Sequence, residues 1–275
     1  MTTGVPCPLG CGYTLSFCDG EGGRLLAHCF GDCQFNEIVV ALVEYGLLDD
    51  DDAALDAPSP VVSRQQGDSE QRRRKIEQAR EIYAAGVQDK RIGIYLLSRG
   101  IHVGSEVLRF LEQAPHRLGA RLPAMVAPIV DAAGEQIGTH LTYLRPDGSG
   151  KANLPKEYQR ESRGAIKGGA IRLNGYQGDI ILAEGIETAL SATELFHEPC
   201  WATVCAEGLR SVALPDYVTR IIIAAGHDEA GRQCALAARD RWTVEGRAVR
   251  VKVPPIPGQD FNDVLLGRRR NAAGS

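Results

Sequence analysis

The sequence predicts an α/β protein that ends in a parallel sheet covered by helices on both faces. Three observations lead to this prediction. Five of the eight cysteines lie in the first 33 residues, turn residues bound an alternating run after residue 122, and apolar strands interleave with helices from residue 179 onward. Interleaved strands and helices are typical of parallel sheets. We therefore expect a cysteine module, then a mixed α+β region, then the α/β sheet.

Composition narrows the class of protein. The chain has 275 residues, 44% of them hydrophobic, and a net charge of -4. No run of 18 apolar residues is present, so no membrane span is expected. The first residues lack a basic start followed by an apolar stretch, so we expect no signal peptide and a cytoplasmic protein. A negative net charge gives no overall attraction for nucleic acid, so any such binding must come from local basic patches.

The cysteine module carries two Cys-x3-Cys pairs separated by 17 residues. Four thiolates can form a tetrahedral site around Zn²⁺. A module this small needs a bound metal or a similar cross-link to be stable. The segment between the pairs predicts a β-hairpin that brings them together, and "NEIVVALVEYGLL" predicts a helix that packs on it. Cys18 and His28 remain rival ligands, and free buried cysteines are the alternative. The predicted zinc ligands are Cys7, Cys11, Cys29 and Cys33.

The rest of the chain divides by composition. An acidic segment bearing Pro and Ser follows the cysteine module, and helical and then strand-rich patterns follow that. The predicted organisation is a zinc-binding domain (1–48), a linker (49–75), a helical and strand-rich subdomain (76–175), the α/β domain (176–266) and a basic tail (267–275).

Three acidic residues each follow a predicted strand of the α/β domain. Glu184 stands in "LAEG", Asp228 in "AAGHDEAG" and Asp260 in "PPIPGQDFND". Ligands of open α/β sheets bind beyond the carboxyl ends of the strands, and carboxylate oxygens suit Mg²⁺ or Mn²⁺. We therefore predict a divalent metal site there, with Glu187 as a weaker candidate. The alternative is that these acids only cap helices or stabilise helix N-termini.

The turn "AAGHDEAG" offers fewer ligands than such a site would favour. The position two residues before Asp228 is Gly226, which has no side chain to bind a metal. His227 lies between them and could ligate a borderline metal such as Mn²⁺. The alternative is that His227 is an ordinary turn residue.

Residues 151–172 form a basic segment within an acidic protein. They carry six cations and two acids, a net charge of +4. We predict that this segment contacts a nucleotide or a template, and a solvated surface is the alternative. The basic runs at 72–75 and 268–270 are interpreted as solubilising. The predicted contact residues are Lys151, Lys156, Arg160, Arg163, Lys167 and Arg172.

The order of these motifs resembles a known family. "EGIETAL", "IIIAAGHDEAG" and "GQDFNDVL" resemble three successive motifs of the Toprim domain, the metal-binding fold of bacterial-type primases, topoisomerases and some nucleases. The segment "PAMVAPIVDAAGEQIGTHLTYL" with "KANLPKEY" is similar to the strand-rich subdomain that precedes Toprim in those primases, and the cysteine module resembles their zinc-binding domain. The whole chain resembles the compact zinc-finger/Toprim primase-like proteins of phages, plasmids and integrated elements.

The resemblance assigns roles to the acids. Glu184 corresponds to the acid that is a metal ligand and general acid/base, and Asp228 to the second acid of an Asp-x-Asp pair. The first acid of that pair falls on Gly226. Asp260 corresponds to the third motif, with Asn262 where an acid often stands.

The activity that the resemblance implies is DNA primase activity. This is the synthesis of short primers from nucleoside triphosphates on single-stranded DNA, with catalytic Mg²⁺ or Mn²⁺ and structural Zn²⁺. The missing acid leaves two alternatives open, a catalytically weakened Toprim protein that binds DNA or a replication partner, and a Toprim nuclease. The chain has no Gly-x4-Gly-Lys-Ser/Thr phosphate loop, so unwinding would come from a separate helicase.

Overall fold

A computed structural model describes residues 4–9, 11, 14–19, 25–29, 33, 35–47, 61–175 and 179–273. The chain forms two compact units, Met1–Gly67 and Asp68–Ser275. In the described ranges, no helix has both the length and the apolar character needed to cross a membrane.

The first unit is a small antiparallel sheet with one helix. Its strands pair in the order β1-β2-β3, and the hairpin between the cysteine pairs is confirmed. Cys7 and Cys29 are buried together with Leu15, Ile38 and Leu42. Among the described residues of this unit, these form the buried apolar cluster, together with the partly buried Cys11 and Cys33. Its elements are β1 (Gly4–Pro6), β2 (Thr14–Asp19), β3 (Leu25–Cys29) and α1 (Phe35–Glu44).

The second unit begins with helices and an antiparallel sheet of order β4-β5-β6-β7. The predicted hairpin is present as β5 and β6, closed by a backbone hydrogen bond from Asp131 N to Glu135 O of 3.0 Å. These elements are α2 (Val61–Ala84), α3 (Lys90–Ser98), β4 (Arg109–Pro115), β5 (Arg121–Val130), β6 (Gln136–Tyr143) and β7 (Arg160–Gly164).

The structure differs from the predicted linker, because residues 61–75 belong to helix α2. This part of α2 is rich in Gln, Glu, Arg and Lys and has no apolar stripe. Long-chain polar residues have good helix propensity, so a helix can form without the periodicity that usually reveals one. Residues 49–60 lie outside the described part of the chain.

The predicted parallel sheet is confirmed and forms the centre of the second unit. Its strand order is β12-β11-β9-β10-β8, with β9 to β12 parallel and β8 antiparallel at one edge. Its elements are β8 (Ile171–Arg172), β9 (Asp179–Ala183), α4 (Ile186–Phe196), β10 (Cys200–Ala202), α5 (Ala206–Ser211), β11 (Arg220–Ala224), α6 (Glu229–Val244), β12 (Ala248–Lys252) and α7 (Phe261–Ala273).

Both faces of this sheet are covered. Along β9, Ile181 packs in a cluster that includes Leu190 of α4, whereas Ile180 packs in a second cluster that includes Trp242 of α6. Successive residues of a strand point to opposite faces, so an apolar run such as this needs cover on both. The short helix α5 was not predicted, and residues 267–273 of the predicted basic tail lie in α7.

Candidate functional site

The four predicted cysteines are gathered as a zinc site requires. Their ligand atoms all lie within 4.8 Å of one another. The Sγ atoms are 3.8 Å apart in the pair Cys7–Cys33 and 3.5 Å apart in the pair Cys11–Cys29. A tetrahedral Zn²⁺ with Zn–S bonds of about 2.3 Å places its sulfurs about 3.8 Å apart, so these residues fit the ion.

The four thiols of the cysteine site act on one another electrostatically. Contact with the Cys11 thiol, together with burial, raises the pKa of Cys33. Thiolates this close repel one another, and a metal ion would remove that repulsion and deprotonate them. The side chains of the rival ligands Cys18 and His28 lie outside the described part of the chain.

The three acids follow strands that lie side by side. Glu184 follows β9 directly, Asp228 stands between β11 and α6, and Asp260 stands between β12 and α7. Because these strands are parallel neighbours in the order β12-β11-β9, the three turns meet at the same edge of the sheet. After β9 the chain continues to β10, which pairs with one edge of β9, and then to β11, which pairs with the other edge of β9. Ligands of open α/β sheets bind at such a switch point.

Two of the acids also cap helices, as the alternative interpretation predicted. Asp228 Oδ1 accepts a hydrogen bond of 2.7 Å from Gly231 N in the first turn of α6. Asp260 Oδ1 accepts one of 3.0 Å from Asp263 N, and Asp263 Oδ2 accepts one of 3.1 Å from Asp260 N. Thr188 donates to the other oxygen, Asp260 Oδ2, at 3.2 Å. Capping uses one oxygen of each carboxylate, so it fixes their direction and is compatible with metal binding.

Glu184 is exposed, and several charged groups act on it. Desolvation by the surrounding protein raises its pKa, the charge of Arg160 lowers it, and the charge of Asp228 raises it. The charge of Lys156 also lowers this pKa and the charge of Asp260 also raises it, both more weakly. The net shift of the pKa is upward. Glu184 therefore lies in the field of two cations of the basic segment and of the other two acids.

The acids are less tightly gathered than the cysteines. Within the described ranges, the four cysteines are the only group of three or more potential ligands close enough to share one ion. Mg²⁺ usually keeps several waters and binds one or two carboxylates together with substrate phosphates. Asp228, Asp260 and Glu184 are the carboxylates that this edge of the sheet offers to such an ion.

The turn at Gly226 has room for the missing side chain. A Cβ built on Gly226 would lie 3.6 Å from Asp228 Oδ2 and would meet no other atom within 4 Å. His227 is tied into the turn: its backbone N donates to Gln259 O at 2.9 Å, and its ring Nδ1 lies 2.8 Å from Pro254 O. A carbonyl can only accept, so Nδ1 donates there, and ligation by His227 would have to use Nε2.

The basic segment does not act as one surface. Lys151 Nζ lies 2.9 Å from the buried Glu187, and Arg163 pairs with Glu161. Arg172 donates to Asp131 O at 2.7 Å and stacks on Trp201, with 4.5 Å between the guanidinium carbon and the ring centre. Lys156 and Lys167 are exposed. Lys156 and Arg160 are the two cations of the segment that act on Glu184.

Two residues near the site have roles that the sequence did not indicate. Asn262 is fully buried, and its Nδ2 donates to Arg99 O at 2.8 Å and to Ser191 Oγ at 3.0 Å. It therefore anchors α7 to the interior. Tyr95 of α3 is also fully buried and donates to Glu187 Oε1. The sequence alone does not show which residue a buried polar side chain of such a helix will contact.

Comparison with known proteins supports the fold of the second unit. Residues 179–270 match the model of the Toprim domain, which confirms the resemblance of the three acidic motifs. Residues 67–173 match a family described as a domain of unknown function (DUF7146). No curated protein matches the chain significantly.

Among solved structures, the chain is similar to primase fragments of several organisms. The primase fragment of the bacteriophage T7 primase-helicase protein is 19% identical, with 70% of each chain covered and a TM-score of 0.42. The zinc-binding and RNA polymerase domains of the Aquifex aeolicus primase are 14% identical, with 100% of this chain and 80% of that chain covered and a TM-score of 0.44. A DNA primase domain from Pseudomonas aeruginosa is 18% identical, with 64% and 56% covered and a TM-score of 0.39. The chain thus spans just over half the length of the Pseudomonas domain.

Proposed function

We propose that this Toprim-domain protein is a DNA primase-like nucleotidyltransferase, which makes short primers on single-stranded DNA. One observation carries the proposal. The carboxyl edge of the sheet holds Glu184, Asp228 and Asp260 on adjacent turns, with Arg160 and Lys156 close enough to act on Glu184. Acids beside cations suit a substrate that needs both a metal ion and neutralisation of its phosphates.

The reaction joins a 3′-hydroxyl to the α-phosphate of an incoming nucleoside triphosphate. A bound Mg²⁺ or Mn²⁺ would lower the pKa of the hydroxyl and neutralise charge on the triphosphate. Asp228, Asp260 and Glu184 would hold the ion. Glu184 is exposed at the same edge, so its carboxylate could also accept the proton of the hydroxyl.

The cations at the edge would hold the phosphates of the nucleotide and the template. Arg160 lies in β7 and Lys156 in the turn before it, so both come from the strand-rich region that precedes the Toprim domain. Arg163 lies further along β7 and pairs with Glu161, and the exposed Lys167 lies in the loop that follows β7, so these two are weaker candidates for contact with the template. The cysteine module with Zn²⁺ would be a second contact for the template, and a separate helicase would supply unwinding in the cytoplasm.

A primer-synthesis assay tests the proposal. The zinc-loaded protein is incubated with labelled nucleoside triphosphates, single-stranded templates of mixed sequence, and Mg²⁺ or Mn²⁺. We expect short products with at least one metal, and a large loss of product with the Glu184→Gln variant. If the folded, zinc-loaded protein yields no product with either metal on any template, the proposal is wrong.

A second candidate function rests on Gly226. Because this turn lacks one carboxylate, the protein could bind single-stranded DNA or a replication partner without efficient synthesis. Fluorescence anisotropy with a labelled oligonucleotide separates the two functions, since binding without product would favour the second. Shortening of the template in the same reactions would favour a Toprim nuclease.

A further inference from the structure

A buried polar cluster joins the strand-rich region to the helix that follows Glu184. Glu187 lies in the first turn of α4 and is only 6% exposed. Its Oε1 accepts a hydrogen bond from Tyr95 of α3 and lies 2.9 Å from Lys151 Nζ. Three parts of the chain that are far apart in sequence therefore meet at one carboxylate.

The backbone of Lys151 is itself held in place. Lys151 forms an isolated bridge with Leu144, and the next residue, Ala152, donates from N to Tyr143 O at 2.8 Å. Arg145 N donates to Gly150 O at 2.9 Å across the same small hairpin. The ammonium group therefore extends from a fixed support, as a positioning group must.

The second oxygen of Glu187 faces the turn that carries Glu184. A Cβ built on Gly185 would lie 3.6 Å from Glu187 Oε2 and 3.9 Å from Arg160 Nη1. The carboxylate of Glu187 thus stands between Lys151 on one side and the backbone of the turn on the other. Glu184 lies three residues before Glu187 and directly before the N-cap Gly185, so the contact between Lys151 and Glu187 restrains the start of α4 next to Glu184.

We infer that Lys151 and Glu187 are positioning residues, whose ion pair, with Glu187 buried and Lys151 partly buried, fixes the first turn of α4 and so aims Glu184 at the metal and substrate. The inference rests on the proposed function and sharpens it, because it removes Lys151 from the residues that contact a nucleotide. Glu187 neutralises Lys151, so Arg160 and Lys156 are left as the cations of the basic segment that act on Glu184.

The physical basis is the asymmetry of buried ion pairs. Removing one partner leaves an uncompensated charge in the interior, whereas replacing both partners with uncharged groups of similar size is often nearly neutral. A displaced catalytic group loses rate even when the substrate still binds, because alignment of the reacting atoms is lost. A residue that contacts the nucleotide directly would instead change substrate binding.

A double-mutant cycle tests the pair without relying on activity. We expect Lys151→Met to lower the melting temperature by roughly 10 °C and to speed amide hydrogen exchange in residues 184–190. Lys151→Met combined with Glu187→Gln should recover most of both losses, because the amide oxygen of the introduced glutamine can still accept from Tyr95. Residues 206–211 of α5 are the internal reference for exchange. Unchanged exchange at 184–190, or no recovery in the double variant, would overturn the inference.

Kinetics then separate positioning from direct contact. In the primer assay, we expect Lys151→Met to lower kcat by about a hundredfold with little change in the KM for the nucleotide, and the double variant to regain most of kcat. Lys156→Met should show the opposite pattern, with a raised KM and an unchanged melting temperature. Lys75→Met, an exposed lysine of α2, controls for loss of charge alone.

The results of these experiments distinguish a failure of this inference from a failure of the proposed function. If Lys151→Met raises KM and leaves the melting temperature unchanged, Lys151 is a substrate contact and the inference is wrong, although synthesis itself stands. If the wild-type protein makes no primer, the proposed function fails. In that case the melting and exchange cycle still decides whether the pair fixes the turn.

Discussion

The two candidate metal sites of this protein differ in ligand chemistry and in how closely their ligands are gathered. Four sulfur atoms of the cysteine module lie within 4.8 Å of one another. At the carboxyl edge of the Toprim sheet, Glu184, Asp228 and Asp260 come from three separate turns and are spread more widely. A closed set of four ligands is typical of an ion that holds a fold, and an open set of one that is shared with substrate.

The surroundings of the two sites explain this difference. In the described part of the cysteine module, the large apolar members of the buried cluster are Leu15, Ile38 and Leu42. The Toprim sheet is packed on both faces by two large apolar clusters, which need no ion to form. A Zn²⁺ ion would therefore stabilise the fold of the cysteine module, whereas the Toprim sheet folds by apolar packing and would hold an ion without depending on it. Substitutions in the two regions should accordingly affect different properties of the protein.

The largest effect is expected at the cysteine module. Cys29→Ser should release the zinc and unfold this module, because a structural Zn²⁺ contributes roughly 10–16 kcal/mol in small zinc domains. Zinc content by atomic absorption and limited proteolysis measure the two losses. Cys234→Ser changes a cysteine buried in α6 and should retain the full zinc content. Full zinc content in Cys29→Ser would show that Cys18 or His28 replaces a ligand.

A large effect on rate, but not on stability, is expected at the sheet edge. Glu184→Gln should reduce primer synthesis by about 10²–10⁴-fold, as expected for loss of a general base. Its melting temperature should not fall, because the raised pKa of Glu184 means that its charge is unfavourable in the folded state. Asp216→Asn, which changes an exposed acid before β11, is the matched control. Equal synthesis by Glu184→Gln and wild type would place the site elsewhere.

Local patterns predicted most of the fold and the positions of the candidate ligands. The Cys-x3-Cys pairs and the acids after apolar strands can be recognised because each depends on a few neighbouring residues and on the known geometry of sheets. The partner of Lys151 could not be predicted, because Glu187 is 36 positions away in the sequence and meets it only through tertiary packing. A cation in a basic segment looks the same in sequence whether it binds phosphate or a buried acid.

The same limit applies to residues whose sequence patterns are ambiguous. Arg269 lies in a basic run that was interpreted as solubilising, yet its Nε donates to Gly100 O at 2.8 Å and its guanidinium pairs with Glu194. The polar start of α2 was interpreted as a linker, although it forms a helix. In both cases the polar composition is typical of a solvated surface. Composition alone does not show which polar side chain has a partner in the fold, or whether the segment is helical.

A smaller effect, a loss of folding stability, is expected when the pH is lowered. His140 is buried beside the sheet edge, and burial lowers its pKa to about 4 from an ordinary value of 6.5. The folded protein keeps His140 neutral while the unfolded chain takes up a proton, so stability is lost as the pH falls from about 6.5 to about 4. The loss at pH 5 should be roughly 2 kcal/mol.

Tryptophan fluorescence can follow this loss in urea titrations at pH 7 and pH 5. Both tryptophans, Trp201 and Trp242, lie in the Toprim sheet and its helix, so the signal is independent of the cysteine module. His140→Gln should remove most of the pH dependence, and His102→Gln, an exposed histidine, should retain it. The same acid slope in His140→Gln and wild type would contradict the assignment.

The smallest effect is expected when the open site is given its missing carboxylate. Gly226→Asp places a carboxylate beside Asp228 without a clash and should lower the Mg²⁺ concentration for half-maximal synthesis about tenfold, or about 1.4 kcal/mol. Without metal, repulsion between the two acids should lower the melting temperature, and Mg²⁺ should restore it.

Gly226→Asn supplies an oxygen without the charge and should show neither change. If Gly226→Asp leaves both the Mg²⁺ midpoint and the melting temperature unchanged, Asp228 does not face the ion, and the contrast between an open and a closed site would rest on Glu184 and Asp260 alone.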